Sequence, residues 1–191
     1  MTCTPTDIEL TLYEGRPENA AARLTKEQRC YDFLEHLGIR YWRVDHMPAD
    51  TIEQCHGVET VLGCDICKNL LLTNRQGTAF YLLLLRGDKV FRTKHLSAAL
   101  GCARLSFAPG EKMEEFLDIT PGSLSALGLM NDRDRRVQLV IDRPVIEGEW
   151  LGCHPCINTS TLRFSVRDLM EKVLPATGHT PIIVDLPEDA E

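Results

Sequence analysis

Apolar residues recur at helical spacing in "TKEQRCYDFLEHLGI", residues 25–39, where Cys30, Phe33, Leu34 and Leu37 share one face. Thr25 stands where an N-cap belongs, Gln28 follows three residues later as a variant capping box, and Gly38 ends the segment. The alternation in "RYWRVDH", residues 40–46, predicts a strand leading to His46, and "TIEQCHGVETVL", residues 51–62, predicts a short helix followed by a loop. In "NLLLTNRQGTAFYLLLLRG", two apolar runs flank Asn74, Arg75, Gln76 and Gly77, the pattern of two strands joined by a turn with glycine at positive φ. The unbroken run at residues 81–85 predicts a strand buried on both faces, hence central in its sheet.

Further along, "TKHLSAALG" predicts a short helix ending at Gly101, "RLSFA" a strand and "GEKMEEFLDI" a helix. "TPGSLSALGLMND" reads as turn chemistry followed by an apolar piece, and "RRVQLVIDRPVI" and "STLRFSV" as strands. "VRDLMEKVLPATG" reads as a helix stopped by Pro175, and "PIIVDL" closes the sheet. Strands and short helices mix without a regular βα alternation, so the expected class is α/β or α+β around a mixed sheet. Residues 1–20 are polar without a clear period and read as a loosely ordered lead to one domain at residues 21–188.

Composition narrows the function classes. A chain of 191 residues with 43% hydrophobic content can bury one core. The net charge of -7 and pI near 5.4 argue against broad contact with a nucleic-acid backbone, DNA included, while leaving room for a small basic pocket. The first residues lack the apolar core of a signal peptide, and no apolar run approaches a membrane span. Eight cysteines without an export signal read as reduced thiols, and the expected location is the cytoplasm.

Two stretches concentrate chemistry. "GCDICKNLLL" pairs Cys64 and Cys67 and runs into Lys68 and Asn69; "GCHPCINTSTLRF" pairs Cys153 and Cys156 around His154 and Pro155. Four thiolates can hold zinc tetrahedrally, but 85 residues separate the pairs, and small buried thiols are common. Lys68 at the mouth of an apolar strand can hold a phosphate, or it can simply snorkel at a strand end. Asn158, Thr159, Ser160 and Thr161 can cradle a polar ligand or cap a turn. No glycine-rich phosphate loop and no nucleophile elbow are present.

Taken in order, "KNLLL", "TKHLSAALG", "LSFA", "TPGSLSALGLMND", "VQLVID", "GCHPCINTSTLRF" and "ATGHTPIIVDLP" resemble the prolyl-tRNA editing family. Within the YbaK/ProRS-associated domain superfamily, the chain is most similar to free-standing deacylases that remove alanine mischarged on tRNA(Pro). The resemblance spans roughly residues 25–187 and implies a single compact domain with a mixed, barrel-like sheet flanked by helices. It implies one active site between the "KNL" strand and the "HPxxN" loop, with no cofactor and no metal. Lys68 would anchor the terminal phosphate or ribose, Asn69 would support it, and amides near Gly152 and His154 would orient the ester carbonyl. His154 would shape the pocket more than act as an obligatory base.

His46, Pro155, Asn158 and Thr161 count as substrate-binding in this reading. So does Ser123, in a segment of small residues expected to wall an alanine-sized pocket. Lys94 belongs to a cationic set with Arg75, Arg92 and Arg104. Relatives often carry a histidine shortly before the lysine; here Asp65 and Ile66 occupy that region, and Leu71 replaces a common phenylalanine. The implied partner is the acceptor end of tRNA(Pro), with prolyl-tRNA synthetase as an optional second one. Two alternatives stay open. One is a deacylase for another small or thiol-bearing group such as Cys-tRNA(Pro). The other is a non-catalytic tRNA- or synthetase-binding module whose four paired cysteines, Cys64, Cys67, Cys153 and Cys156, hold zinc.

Overall fold

The computed structural model describes residues 10–48 and 52–188. Its elements begin with β1 (Leu12–Glu14), α1 (Thr25–His36), β2 (Trp42–Asp45) and α2 (Ile52–Leu62). The hairpin β3 (Lys68–Thr73) and β4 (Phe80–Leu85) follows, then α3 (Thr93–Ala99), β5 (Ser106–Phe107) and α4 (Gly110–Leu117). After a 3₁₀ turn at Ala126–Met130 come β6 (Val137–Asp142), α5 (Arg143–Glu147), β7 (Trp150–Cys153) and β8 (Ser160–Ser165). The chain ends in α6 (Val166–Asp168), a π turn at Leu169–Val173, α7 (Leu174–Thr177) and β9 (Ile182–Val184).

The strands form two sheets. One is mixed and five-stranded, in the order β5-β3-β4-β6-β9; the other is antiparallel and four-stranded, in the order β1-β2-β8-β7. β4 lies at the centre of the first, antiparallel to β3 and parallel to β6, which is where its two-sided apolar sequence belongs. Its side chains divide by alternation: Leu82 and Leu84 enter the core between the sheets, while Leu83 and Leu85 pack on the outer face with Leu96 of α3 and Val184 of β9. Each fully buried leucine contributes about 1.5–3 kcal/mol relative to exposure. A third small cluster, Val44, Val58 and Leu62, seats α2 on the four-stranded sheet.

The mixed α/β architecture is as expected, but the sheets do not close into a barrel. A single parallel bridge between Ile66 and Gly152 joins them. Leu12–Glu14, inside the expected loose lead, pairs with β2; all three residues are exposed, so hydropathy carries no trace of the strand. The cap of α1 also differs: Leu24 occupies the N-cap without a side-chain bond, and Gln28 donates to the Arg23 carbonyl at 2.7 Å. Pro175 does not stop the last helix, which runs to Thr177 and ends at Gly178 with φ 71. The π turn directly upstream changes the hydrogen-bond register where the proline lacks its N–H. Among the described residues, no helix is long and apolar enough to cross a membrane.

A buried ion pair ties the C-terminal segment to the sheet. Lys89 Nζ lies 2.7 Å from Asp142 Oδ2 and donates to the Leu186 carbonyl at 2.6 Å, while the Leu186 amide donates to Asp142 Oδ1 at 2.9 Å.

Candidate functional site

The short β5 leaves room for a cavity. It pairs with β3 only at Leu72 and Thr73, and the Ala108 amide takes the Leu71 carbonyl, so β3 is open towards its first residues. The space beside that open edge is a cavity of about 230 Å³, walled by Asn69, Leu71, Phe107, Met113, Gly122 and His154 among others. Because the Leu71 carbonyl points to the β5 side, alternation turns the backbone N–H of Asn69 the same way, towards the cavity.

His154 reaches the cavity from the loop after β7. Its Nδ1 lies 2.9 Å from the Ser160 carbonyl, which can only accept, so Nδ1 carries the proton and Nε2 holds the lone pair. Behind it, the Thr161 hydroxyl is 3.4 Å from the same Nδ1 and 2.8 Å from His46 Nε2. His46 Nδ1 donates to the Met47 carbonyl at 2.7 Å, so its Nε2 accepts the threonine proton. The two rings stand 6.1 Å apart. Burial holds both imidazoles below the ordinary histidine value; for His154 the neighbouring His46 acts in the same direction, and the Ser160 bond opposes it. At neutral pH the cavity therefore meets an uncharged acceptor.

Asn69 also borders the cavity. Its Nδ2 donates to the Cys67 carbonyl at 3.0 Å, while Oδ1 is buried without a partner, at a cost of about 1–3 kcal/mol. Lys68 is not among the residues that line the cavity; its side chain lies on the outer face of β3 with Leu70, which does line it, and its Nζ donates to the Lys89 carbonyl at 2.8 Å. Asn69 and His154 both line the cavity.

Gly152 needs its missing side chain. A Cβ there would meet the Asp65 carbonyl oxygen at 2.6 Å and the Ile66 Cα at 3.1 Å. Its amide donates to Asp65 and its carbonyl accepts from Cys67 at 2.9 Å, so it is the seam between the sheets. That N–H is already engaged and is not available to an ester carbonyl, which corrects the role expected of it. Gly152→Ala is expected to cost about 1–3 kcal/mol, read as a lower thermal midpoint. An unchanged midpoint would mean that the seam yields without cost.

The other expected residues divide. Thr161 and Pro155 are buried, and Asn158 is half-buried, with its Nδ2 3.8 Å from where a Gly122 Cβ would lie. The Ser123 hydroxyl donates to the Thr120 carbonyl at 2.9 Å inside its own turn, so it is occupied; its neighbours Pro121, Gly122 and Leu124 form the wall instead. Lys94, Arg75 and Arg104 are exposed. Phe107 and Met113 went unassigned in the sequence: methionine on an amphipathic helix reads as core, and a lone phenylalanine on a two-residue strand carries no pattern.

The cysteines do not assemble as four ligands. Cys156 Sγ contacts Cys30 Sγ at 3.5 Å, and no group of three or more His, Cys, Asp or Glu among the described residues is placed to hold a metal. Burial pushes Cys64 and Cys67 up to about 12, so both stay thiols. A larger open cleft, about 720 Å³ between α1, the 3₁₀ turn and α7, contains none of the expected site residues.

Comparison with known proteins shows the family. Residues 46–172 match the aminoacyl-tRNA editing domain family. Prolyl-tRNA editing protein ProX of Acetoanaerobium sticklandii is 31% identical over 80% of this chain and 93% of its own. Prolyl-tRNA synthetase associated domain-containing protein 1 of Danio rerio is 30% identical over 93% of this chain and 95% of its own. A solved structure assigned as a candidate trans-editing enzyme for prolyl tRNA synthetase shares the fold, with TM-score 0.64 and 17% identity over 87% of this chain and 99% of that one.

Proposed function

The chain belongs to the aminoacyl-tRNA editing domain family and is a hydrolase of the prolyl-tRNA editing class, and from that premise we propose that it removes alanine from mischarged tRNA(Pro) in the cytoplasm. The observation that carries this reading is that His154, with Nε2 left as an acceptor, and the open edge of β3 at Asn69 share one small cavity. An aminoacyl ester is already activated, so hydrolysis needs a placed water and charge stabilisation more than a strong nucleophile. Neutral His154 does more in this reading than shape the pocket: it accepts from the water, whose oxygen bonds to the ester carbonyl carbon. The carbonyl oxygen takes up negative charge against the Asn69 backbone N–H. As the bond from carbon to the ribose oxygen breaks, that oxygen receives the proton, with the neighbouring ribose hydroxyl in reach to pass it.

Selectivity follows from size. A synthetase site built for proline cannot exclude alanine, because removing methylenes changes binding by only about 1–3 kcal/mol. In this reading the apolar wall of Leu71, Met113 and Leu124 supplies the second sieve that favours the smaller aminoacyl group. Hydrolysis of alanyl-, cysteinyl- and prolyl-tRNA(Pro), measured side by side, tests the reading; the expected order puts alanine first and proline last. Preference for the cysteinyl ester would overturn the alanine assignment.

In this reading the Lys68 ammonium, on the outer face beside Leu70 of the cavity wall, holds the terminal phosphate or ribose at the rim. Lys68→Ala is therefore expected to raise KM by about tenfold with kcat changed by less than about threefold, the signature of lost uniform binding. A fall in kcat at constant KM would instead put the ammonium in the chemical step.

A further inference from the structure

The cavity opens onto an exposed aromatic lip. Phe107, which forms part of its wall, is 60% exposed, and Phe91 stands edge-on to it with ring centroids 6.3 Å apart. Val90 beside them is 42% exposed. Large apolar groups left in water next to a cleft mark a contact surface. The local charge says what kind: residues 89–108 contain no aspartate or glutamate although the chain has 28, and they include Lys89, Arg92, Lys94 and Arg104. Lys89 is spent on Asp142, but Lys94 and Arg104 are exposed, each three residues from one of the rings.

Aromatic faces interleaved with cations are what an unpaired nucleic-acid strand requires, bases on the rings and phosphates on the charges. Resting on the deacylase reading, we infer that Phe107, backed by Phe91, is a stacking platform for the unpaired nucleotides that precede the aminoacylated end, with Lys94 and Arg104 engaging their phosphates. The strand thus approaches across the outer face of the five-stranded sheet and delivers its last residue over the open edge of β3 into the cavity. Lys68, tied to the Lys89 carbonyl on that same outer face, lies along this approach. An acidic protein can grip RNA in this way, because the contact is confined to one lip.

The test uses uncharged tRNA(Pro), intact or lacking its unpaired 3′ nucleotides, so that binding is read apart from hydrolysis. The full chain binds the intact RNA more tightly; Phe107→Leu removes most of that difference, about tenfold, and Phe107→Trp restores it, as loss and return of one stacked base require. Lys94→Ala with Arg104→Ala lowers the slope of log affinity against log salt by about 0.7 for each phosphate no longer neutralised. Equal binding of the two RNAs by the unaltered chain, or a Phe107→Leu protein that still distinguishes them, overturns the platform and leaves the lip to a protein partner. Failure of the deacylase reading shows separately, as no hydrolysis of any aminoacyl-tRNA by a protein that still prefers the intact RNA.

Discussion

Replacing His154 with alanine is expected to lower kcat for aminoacyl-tRNA hydrolysis by about a hundredfold while KM stays within about threefold, the scale of a lost positioned acceptor. The ring is fixed before substrate arrives. The Ser160 carbonyl sets the tautomer, and Thr161 and His46 lie behind the same edge of the ring. Thr161→Val removes the hydroxyl that links the two rings and should give a smaller loss in kcat, since the Ser160 bond survives.

The same arrangement sets the pH dependence. Burial lowers the His154 pKa, so the uncharged form persists through neutrality, and the acid limb of kcat should fall below the free-imidazole value of 6.5. Stability follows the same sign. The unfolded chain takes up protons at His46 and His154 more readily than the folded one, so their contribution is intact above that value and is lost as pH falls through the lowered native values. A kcat that is unchanged in His154→Ala, or an acid limb above the free-imidazole value, would remove the ring from the chemistry.

Much of this fold is legible in the pattern of apolar residues, and the exceptions have physical causes. The β3–β4 hairpin was readable because its strands are apolar runs and its turn has Gly77 at φ 67. β1 was not, because an exposed edge strand needs no alternation, and β7 was not, because its short sequence includes a glycine chosen for a close backbone crossing. At the site, His154 and Asn69 were found through motif resemblance. Lys68 comes with the same motif, and the two-residue period in "KNLLL" places it on the outer face with Leu70, a residue of the cavity wall. The Ser123 hydroxyl satisfies its own Thr-Pro-Gly-Ser turn, and it is the neighbouring Pro121, Gly122 and Leu124 of that segment that line the cavity. The wall residues Phe107 and Met113 could not be read, because nothing local distinguishes a cavity wall from a core.

Asp142→Ala should have the largest effect on stability, about 3–5 kcal/mol, because it leaves the Lys89 ammonium buried without its carboxylate and the Leu186 amide without its acceptor. For a chain of this length, a loss of that size corresponds to a fall of about 10 °C or more in the thermal midpoint. Desolvation opposes the pair as strongly as its attraction favours it, so the penalty arises from breaking the pair and not from any large net worth of having it. Lys89→Met combined with Asp142→Leu should therefore recover much of the loss, since both charges leave together. Full recovery would attribute the single-variant penalty to the stranded charge; a single variant with an unaltered midpoint would show that water reaches the pair. The consequence reaches the site as well. The backbone carbonyl of Lys89 accepts the Lys68 ammonium, so loosening the latch frees Lys68 from its position on the outer face, and a rise in KM should accompany the fall in stability.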